Sequence, residues 1–216
     1  MATWMVHCRI ADYFLNKLDI VYNTEFAIGN FAPDCGYGRK DSFGEFEPPP
    51  EITHFSPSGT KRDCRYKDFY NKYLNEKKKT NNYYFYLGYY IHLLTDILWS
   101  AQMCVFNKIK CGYEDENEFI KCVKPEWNNL DIKYFKEHAD ILSYNLIESA
   151  KIIPDYLPYY EKGQLKKQIQ FIVNYYKNEP YIIKEGFKYI TEKSIDEFIN
   201  DAVGIIEKEL KKKELV

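Results

Sequence analysis

Histidine is the scarcest of the chemically versatile residues in this chain. Four occur among 216 residues: His7, His54, His92 and His138. An excess of one charge is missing too, because 30 Lys+Arg stand against 32 Asp+Glu for a formal net charge of −2. A chain this balanced lacks the basic footprint that a stable nucleic-acid partner demands. The six cysteines, Cys8, Cys35, Cys64, Cys104, Cys111 and Cys122, include no CxxC pair, which excludes a zinc ribbon or thioredoxin-like motif and leaves reduced thiols as the simplest reading. The opening MATWMVHCRIADYF lacks a basic segment ahead of an apolar stretch and a small-residue cleavage site, so no secretory signal and a cytoplasmic location are expected for the chain as written, with a mature form cut from an exported precursor as the alternative. An uninterrupted apolar span is also missing. Residues 83–106 are long enough to cross a bilayer, but His92, Asp96, Ser100 and Gln102 interrupt them, and a buried central helix is expected instead of a transmembrane segment. HExxH, an adjacent His-Asp dipeptide and a phosphate-binding GK loop are all absent.

What is present is helical periodicity. A chain of this length buries roughly 70% of its unfolded surface, enough for one core without disulfides. Thr3 is placed to cap a first helix with His7, Ile10, Ala11, Phe14, Leu15 and Leu18 on its inner stripe. Further helices are expected over roughly 63–78, over 83–106 with Asn82 as cap, from Asp131 through Leu146, around Leu165–Tyr176, and from a Ser194/Glu197 capping box onward. Residues 29–60 break the pattern, holding five of the ten glycines and five of the nine prolines. An ordered, functional loop is the reading for a stretch so long and so poor in helix formers. The expected architecture is an all-α, single-domain multi-helix bundle over 1–216. Its metal-binding half would be 1–106, with loop 29–60 over the site, and 107–216 would be a helical remainder.

The chemistry concentrates in GYYIHLLTD, where His92 and Asp96 stand four residues apart and share one helical face, near enough to ligate one ion. Gly88, one turn earlier, leaves room for a ligand or a close-packed neighbour. A buried His–Asp hydrogen bond explains an isolated pair equally well. His7 on the apolar stripe of the first helix, Asp34 at the start of the Gly/Pro loop and His54 near its end shift the balance toward a metal site. Imidazoles mixed with carboxylates suit Zn²⁺, with Mn²⁺ or Fe²⁺ as alternatives. His138 is left as a surface or packing residue, and the 21 tyrosines read as core rather than as a stacking surface.

The order W–x–x–H at Trp4–His7, GNFAPD, THF and FYLGYYIHLLTDILW resembles the bacterial zinc-dependent phospholipase C family, related to the single-strand-specific zinc nucleases. The resemblance runs over roughly residues 4–100. It implies that Asp34, His54, His92 and Asp96 bind one zinc, and that Asp96 bridges to another held by His7 and a free N-terminal Trp. Trp4 is internal here, so no amine ligand is assigned. The family's remaining zinc needs an HxxxE pair; Leu142 stands four residues after His138, so one or two ions are expected rather than three. The implied function is a metal-dependent phosphoric-ester hydrolase, a phosphodiesterase acting on a phosphoester substrate such as a phospholipid. A metal-activated hydroxide would attack phosphorus, with Asp34 also a candidate proton acceptor. The alternative is a non-catalytic helical interaction or scaffold protein that keeps a structural metal site.

Overall fold

A computed structural model describes residues 2–38, 45–75, 78–182 and 187–215. Helix α1 (Trp4–Lys17) starts where the sequence predicts, with the Thr3 hydroxyl accepting from the Val6 amide and His7, Ile10, Ala11 and Phe14 turned into the core. Helix α2 (Asn23–Phe31) was not anticipated. It places the first residues of the expected loop, Gly29 and Asn30, on a buried helix, and a short 3₁₀ turn Ala32–Asp34 follows. The described remainder of the Gly/Pro-rich stretch is ordered: β1 (Tyr37–Gly38) pairs antiparallel with β2 (Phe46–Glu47), and α3 (Pro50–Thr53) closes it. Residues 39–44 of that loop lie outside the described residues.

Helix α4 (Tyr66–Tyr73) is shorter than its periodicity suggests. Helix α5 (Asn81–Trp99) is the central helix, buried from Tyr83 to Asp96 with few breaks; its cap is Thr80, whose hydroxyl accepts from the Tyr83 amide, rather than Asn82. It runs directly into a π-helical segment, Ser100–Phe106, and then α6 (Asn107–Lys110). Among the described residues no helix is long and apolar enough to cross a membrane. All six cysteines are free.

The expected helix opening at Asp131 is two helices. Helix α7 (Glu116–Glu137), capped by Asp115, contains Asp131 in its interior, and α8 (Leu142–Ser149) begins after a break at His138. The reason is tertiary. The Asp131 carboxylate accepts from the Thr3 hydroxyl at 2.7 Å, the Tyr176 hydroxyl at 3.1 Å and the Met5 amide at 3.4 Å, while the start of α8 is capped from α1 by Asp12. Helix α9 (Gln164–Asn178) and helix α10 (Glu192–Lys212) complete the bundle, and the α10 capping box is Thr191 with Ser194.

Packing around α5 fixes the site. Helix α2 crosses it so closely that a Cβ on Gly29 would lie 2.0 Å from the Phe85 carbonyl oxygen, and one on Gly88 would lie 2.1 Å from that of Phe26. Gly88 therefore makes room for a neighbouring backbone. At the other end of α5, Trp99 packs edge-on against Trp127 and Phe198. Helix α10 buries Ile195, Phe198, Ile199, Ala202, Val203, Ile206 and Leu210. At about 1.5–3 kcal/mol for each large apolar side chain, that face is worth as much as a typical domain's entire net stability.

Candidate metal centre

The five residues singled out by sequence meet in one buried cluster. His7 comes from α1, Asp34 from the 3₁₀ turn, His54 from just after α3, and His92 and Asp96 from α5. Nε2 of His54 lies 3.2 Å from Nε2 of His92, 3.2 Å from Oδ1 of Asp34 and 3.4 Å from Oδ2 of Asp96. Nε2 of His92 lies 3.4 Å from the same Asp96 oxygen and 3.9 Å from Asp34 Oδ1. A tetrahedron with bonds of about 2.0–2.1 Å has edges of about 3.3 Å, close to the His54–His92–Asp96 separations. Two overlapping triples, His54/His92/Asp96 and His7/Asp34/His92, bring their donor atoms within 4.8 Å of one another.

The backbone prepares each donor. The Asn30 carbonyl lies 2.7 Å from Nδ1 of His92. A carbonyl only accepts, so that nitrogen carries the proton and Nε2 carries a lone pair in the neutral ring. The Thr53 hydroxyl lies 2.8 Å from Nδ1 of His54 and, being both donor and acceptor, suits either tautomer. Tyr89 donates to the Thr53 carbonyl and is itself held by the Tyr159 hydroxyl at 2.7 Å.

Burial and charge set the protonation states. Burial, reinforced by neighbouring His92, lowers His7 to about 4, with Asp96 opposing. Burial, reinforced by the Lys61 ammonium, lowers His54 to about 3, against the pull of Asp34. Both imidazoles are thus neutral and able to offer lone pairs at neutral pH. Burial pushes the carboxyls of Asp34 and Asp96 up, but the Lys61 ammonium and the surrounding imidazoles outweigh it and hold both well below the usual carboxylate range.

Asp96 faces two ways. Its Oδ2 faces Nε2 of His54 and His92, while its Oδ1 lies 3.6 Å from Nε2 of His7 and accepts from the Ala2 amide at 2.8 Å. His7 is stacked on His92 with ring centroids 3.7 Å apart, yet neither of its nitrogens has a hydrogen-bond partner and the side chain is fully buried. An imidazole orphaned in this way carries an unrecovered desolvation cost, and it fits a nitrogen kept for a cation. Trp4 does not reach the cluster; it packs on Phe171, Tyr175 and Tyr176, and the backbone nitrogen beside Asp96 belongs to Ala2. His138 is exposed and stacked on Tyr134, as a surface residue should be.

Lys61 was missed. Its Nζ lies 2.7 Å from Asp34 Oδ1 and 3.4 Å from Asp96 Oδ2, with the side chain almost wholly buried. Only the surrounding SPSGTKRD, a turn-forming run just after His54, marked its neighbourhood. A separate cavity of about 480 Å³, lined by Arg9, Asp131, Tyr134 and His138 among others, contains none of the clustered residues.

This α-helical chain thus gathers three imidazoles and two carboxylates into two overlapping groups that could hold a metal ion. Residues 6–100 match the family model of zinc dependent phospholipase C, which supports assignment of the chain to that family. The matched segment contains every clustered residue and Lys61. No curated protein and no solved structure matches the chain.

Proposed function

We propose that this protein is a metal-dependent phosphoric-ester hydrolase of the zinc-dependent phospholipase C type, with a phospholipid as the substrate class the family match suggests. The observation that carries the reading is the buried meeting of Asp34, His54, His92 and Asp96, with the His54, His92 and Asp96 donors spaced as ligands of one Zn²⁺ are and Asp34 Oδ1 3.2 Å from Nε2 of His54. His7 and the second oxygen of Asp96 support a further, less complete position beside it, with Asp96 as the bridge. A bound Zn²⁺ supplies Lewis acidity toward a phosphoryl oxygen and brings the pKa of water toward neutrality.

The protein's own groups do the rest. Asn30 and Thr53 fix the imidazole orientations, and Gly29 and Gly88 hold α2 against α5 so that the Asn30 carbonyl stays in reach of His92. Asp34 Oδ2 has no hydrogen-bond partner and is the oxygen available to take up a proton. Its low pKa makes that uptake transient and its role as a ligand the primary one.

One observation favours a second reading, a structural metal in a non-catalytic helical scaffold. His7, His54, His92 and Asp96 are each no more than 2% exposed, deeper than substrate contact requires. Two measurements separate the readings. Elemental analysis of protein purified without a His-tag should find roughly one zinc or more per chain under either. The hydrolase should then cleave members of a phosphodiester and phospholipid panel and lose that activity in His92→Ala. Zinc-loaded protein that cleaves nothing on the panel decides for the scaffold.

A further inference from the structure

The segment from Phe55 to Arg65 is built around one side chain. It closes on itself through the Arg65 amide, which donates to the Phe55 carbonyl at 2.8 Å. Inside it, the Asp63 carboxylate accepts from the Ser56 hydroxyl at 2.5 Å, the Ser58 hydroxyl at 2.9 Å and the Ser58 amide at 3.0 Å. The Ser56 hydroxyl oxygen in turn accepts from the Lys61 amide at 2.9 Å. Phe55 and Lys61 both hold left-handed backbone, at φ 51° and 63°, a conformation that non-glycine residues adopt at a cost. The product of this over-determined, strained loop is an ammonium delivered into the interior, onto Asp34 Oδ1 and Asp96 Oδ2. Those are the oxygens that face Nε2 of His54 and His92.

We propose that Lys61 is a resident counter-ion of the metal site: its ammonium holds Asp34 and Asp96 in ligand geometry before the metal arrives, and a divalent cation must displace it to bind. The argument is electrostatic. Two carboxylates and one ammonium leave a single negative charge between them, and burial keeps the His7 and His54 imidazoles neutral. A dication added beside the ammonium would place like charges side by side in a buried, low-dielectric setting, where their repulsion is far greater than in water. The two cations share acceptors, so one leaves as the other enters. Without Lys61, the metal-free protein would bury two adjacent carboxylates without this cation, which is the costly state a buried pair falls into when one partner is removed. This inference rests on the metal reading of the site.

The test compares metal-free wild type with Lys61→Met, which keeps the aliphatic stem and the same backbone demand but removes the charge. Zn²⁺ is titrated against a chromogenic chelator competitor, and melting is followed without metal. Lys61→Met should bind zinc at least about tenfold more tightly, because a charge-assisted hydrogen bond no longer has to be broken, while its metal-free form melts lower. Equal or weaker zinc affinity in a folded variant overturns the displacement and leaves the metal site intact. Zinc uptake by neither protein overturns the metal reading as well. Should the variant fail to fold, wild type alone decides by acylation with a water-soluble N-hydroxysuccinimide ester, read by peptide mass spectrometry. Zinc saturation should raise labelling of Lys61 several-fold while leaving exposed Lys193 unchanged. A Lys61 that stays protected with zinc bound sinks the proposal.

Discussion

Thr53 offers no atom to the proposed ion, yet its hydroxyl decides how His54 is held. Thr53→Val removes the 2.8 Å contact at Nδ1 and leaves the ring's orientation to packing alone. Loss of such a partner behind a ligand typically weakens metal binding about 10–100-fold, and chelator competition on the purified variant would read it. His92→Ala removes a donor from both potential metal groupings, so zinc content and any phosphodiester cleavage should fall together. At this scale the sequence was legible where residue type and spacing coincide with chemistry. Histidine is rare enough here that His7, His54 and His92 each demand a reason, and the four-residue step to Asp96 supplies one face of the site. Lys61 was illegible because lysine on a polar turn is ordinarily solvated. Nothing in SPSGTKRD says that two left-handed residues turn the side chain inward.

Between elements, the α2–α5 crossing and the tie from α1 to α7 carry the site. Gly88→Ala would force a methyl to within 2.1 Å of the Phe26 carbonyl, a backbone atom that cannot step aside without moving α2. On the order of 1–3 kcal/mol of stability should go, seen as a lower denaturant midpoint, and zinc affinity should fall with it as the Asn30 carbonyl is drawn off His92. Asp131, which receives Thr3 and Met5 at the head of α1, gives a pH signature. Burial raises its carboxyl to about 7, with its three hydrogen bonds opposing. A raised carboxyl favours folding below its unfolded value near 3.9, and that contribution drains away as pH rises to the folded value near 7. Asp131→Asn stays neutral throughout, and its amide can donate to a turned Thr3 hydroxyl. The difference in melting temperature, variant minus wild type, should therefore climb from pH 4 to 7 and flatten above; a pH-independent difference would refute it. Sequence periodicity found most of the long helices, missed α2 and the first half of α7, and placed several ends wrongly. Their caps come from Thr80, Asp115 and Thr191 rather than from the most conspicuous polar residue nearby, and α8 borrows its cap from α1. Short α2, hidden at the edge of a glycine-rich stretch, owes its helicity to packing on α5 rather than to its own propensity.

For the molecule as a whole, the proposed ligands, drawn from residues 7 to 96, tie ion binding to the packing of α1, α3 and α5 with the turn at Asp34. Zinc at about 100 times its dissociation constant should add about 2.7 kcal/mol to stability, and a chelator should return the melting temperature to the metal-free value. The all-α class was readable from sequence because helical periodicity is a local pattern. The arrangement of α7 to α10, beyond the family match, was not, since it depends on pairings such as Trp99 with Trp127 and Phe198 between residues far apart in the chain.

Depth also governs time. His7, His54, His92 and Asp96 are each no more than 2% exposed, so under the structural-metal reading an ion held among them would be released only by local opening. An ion seated among them leaves when the protein breathes, at the tempo of the opening that also lets solvent reach the amides of α5. Bound zinc should then exchange with a radioisotope on the schedule of hydrogen exchange in that helix. More chelator would change how much metal is eventually lost, but not how soon the first of it escapes.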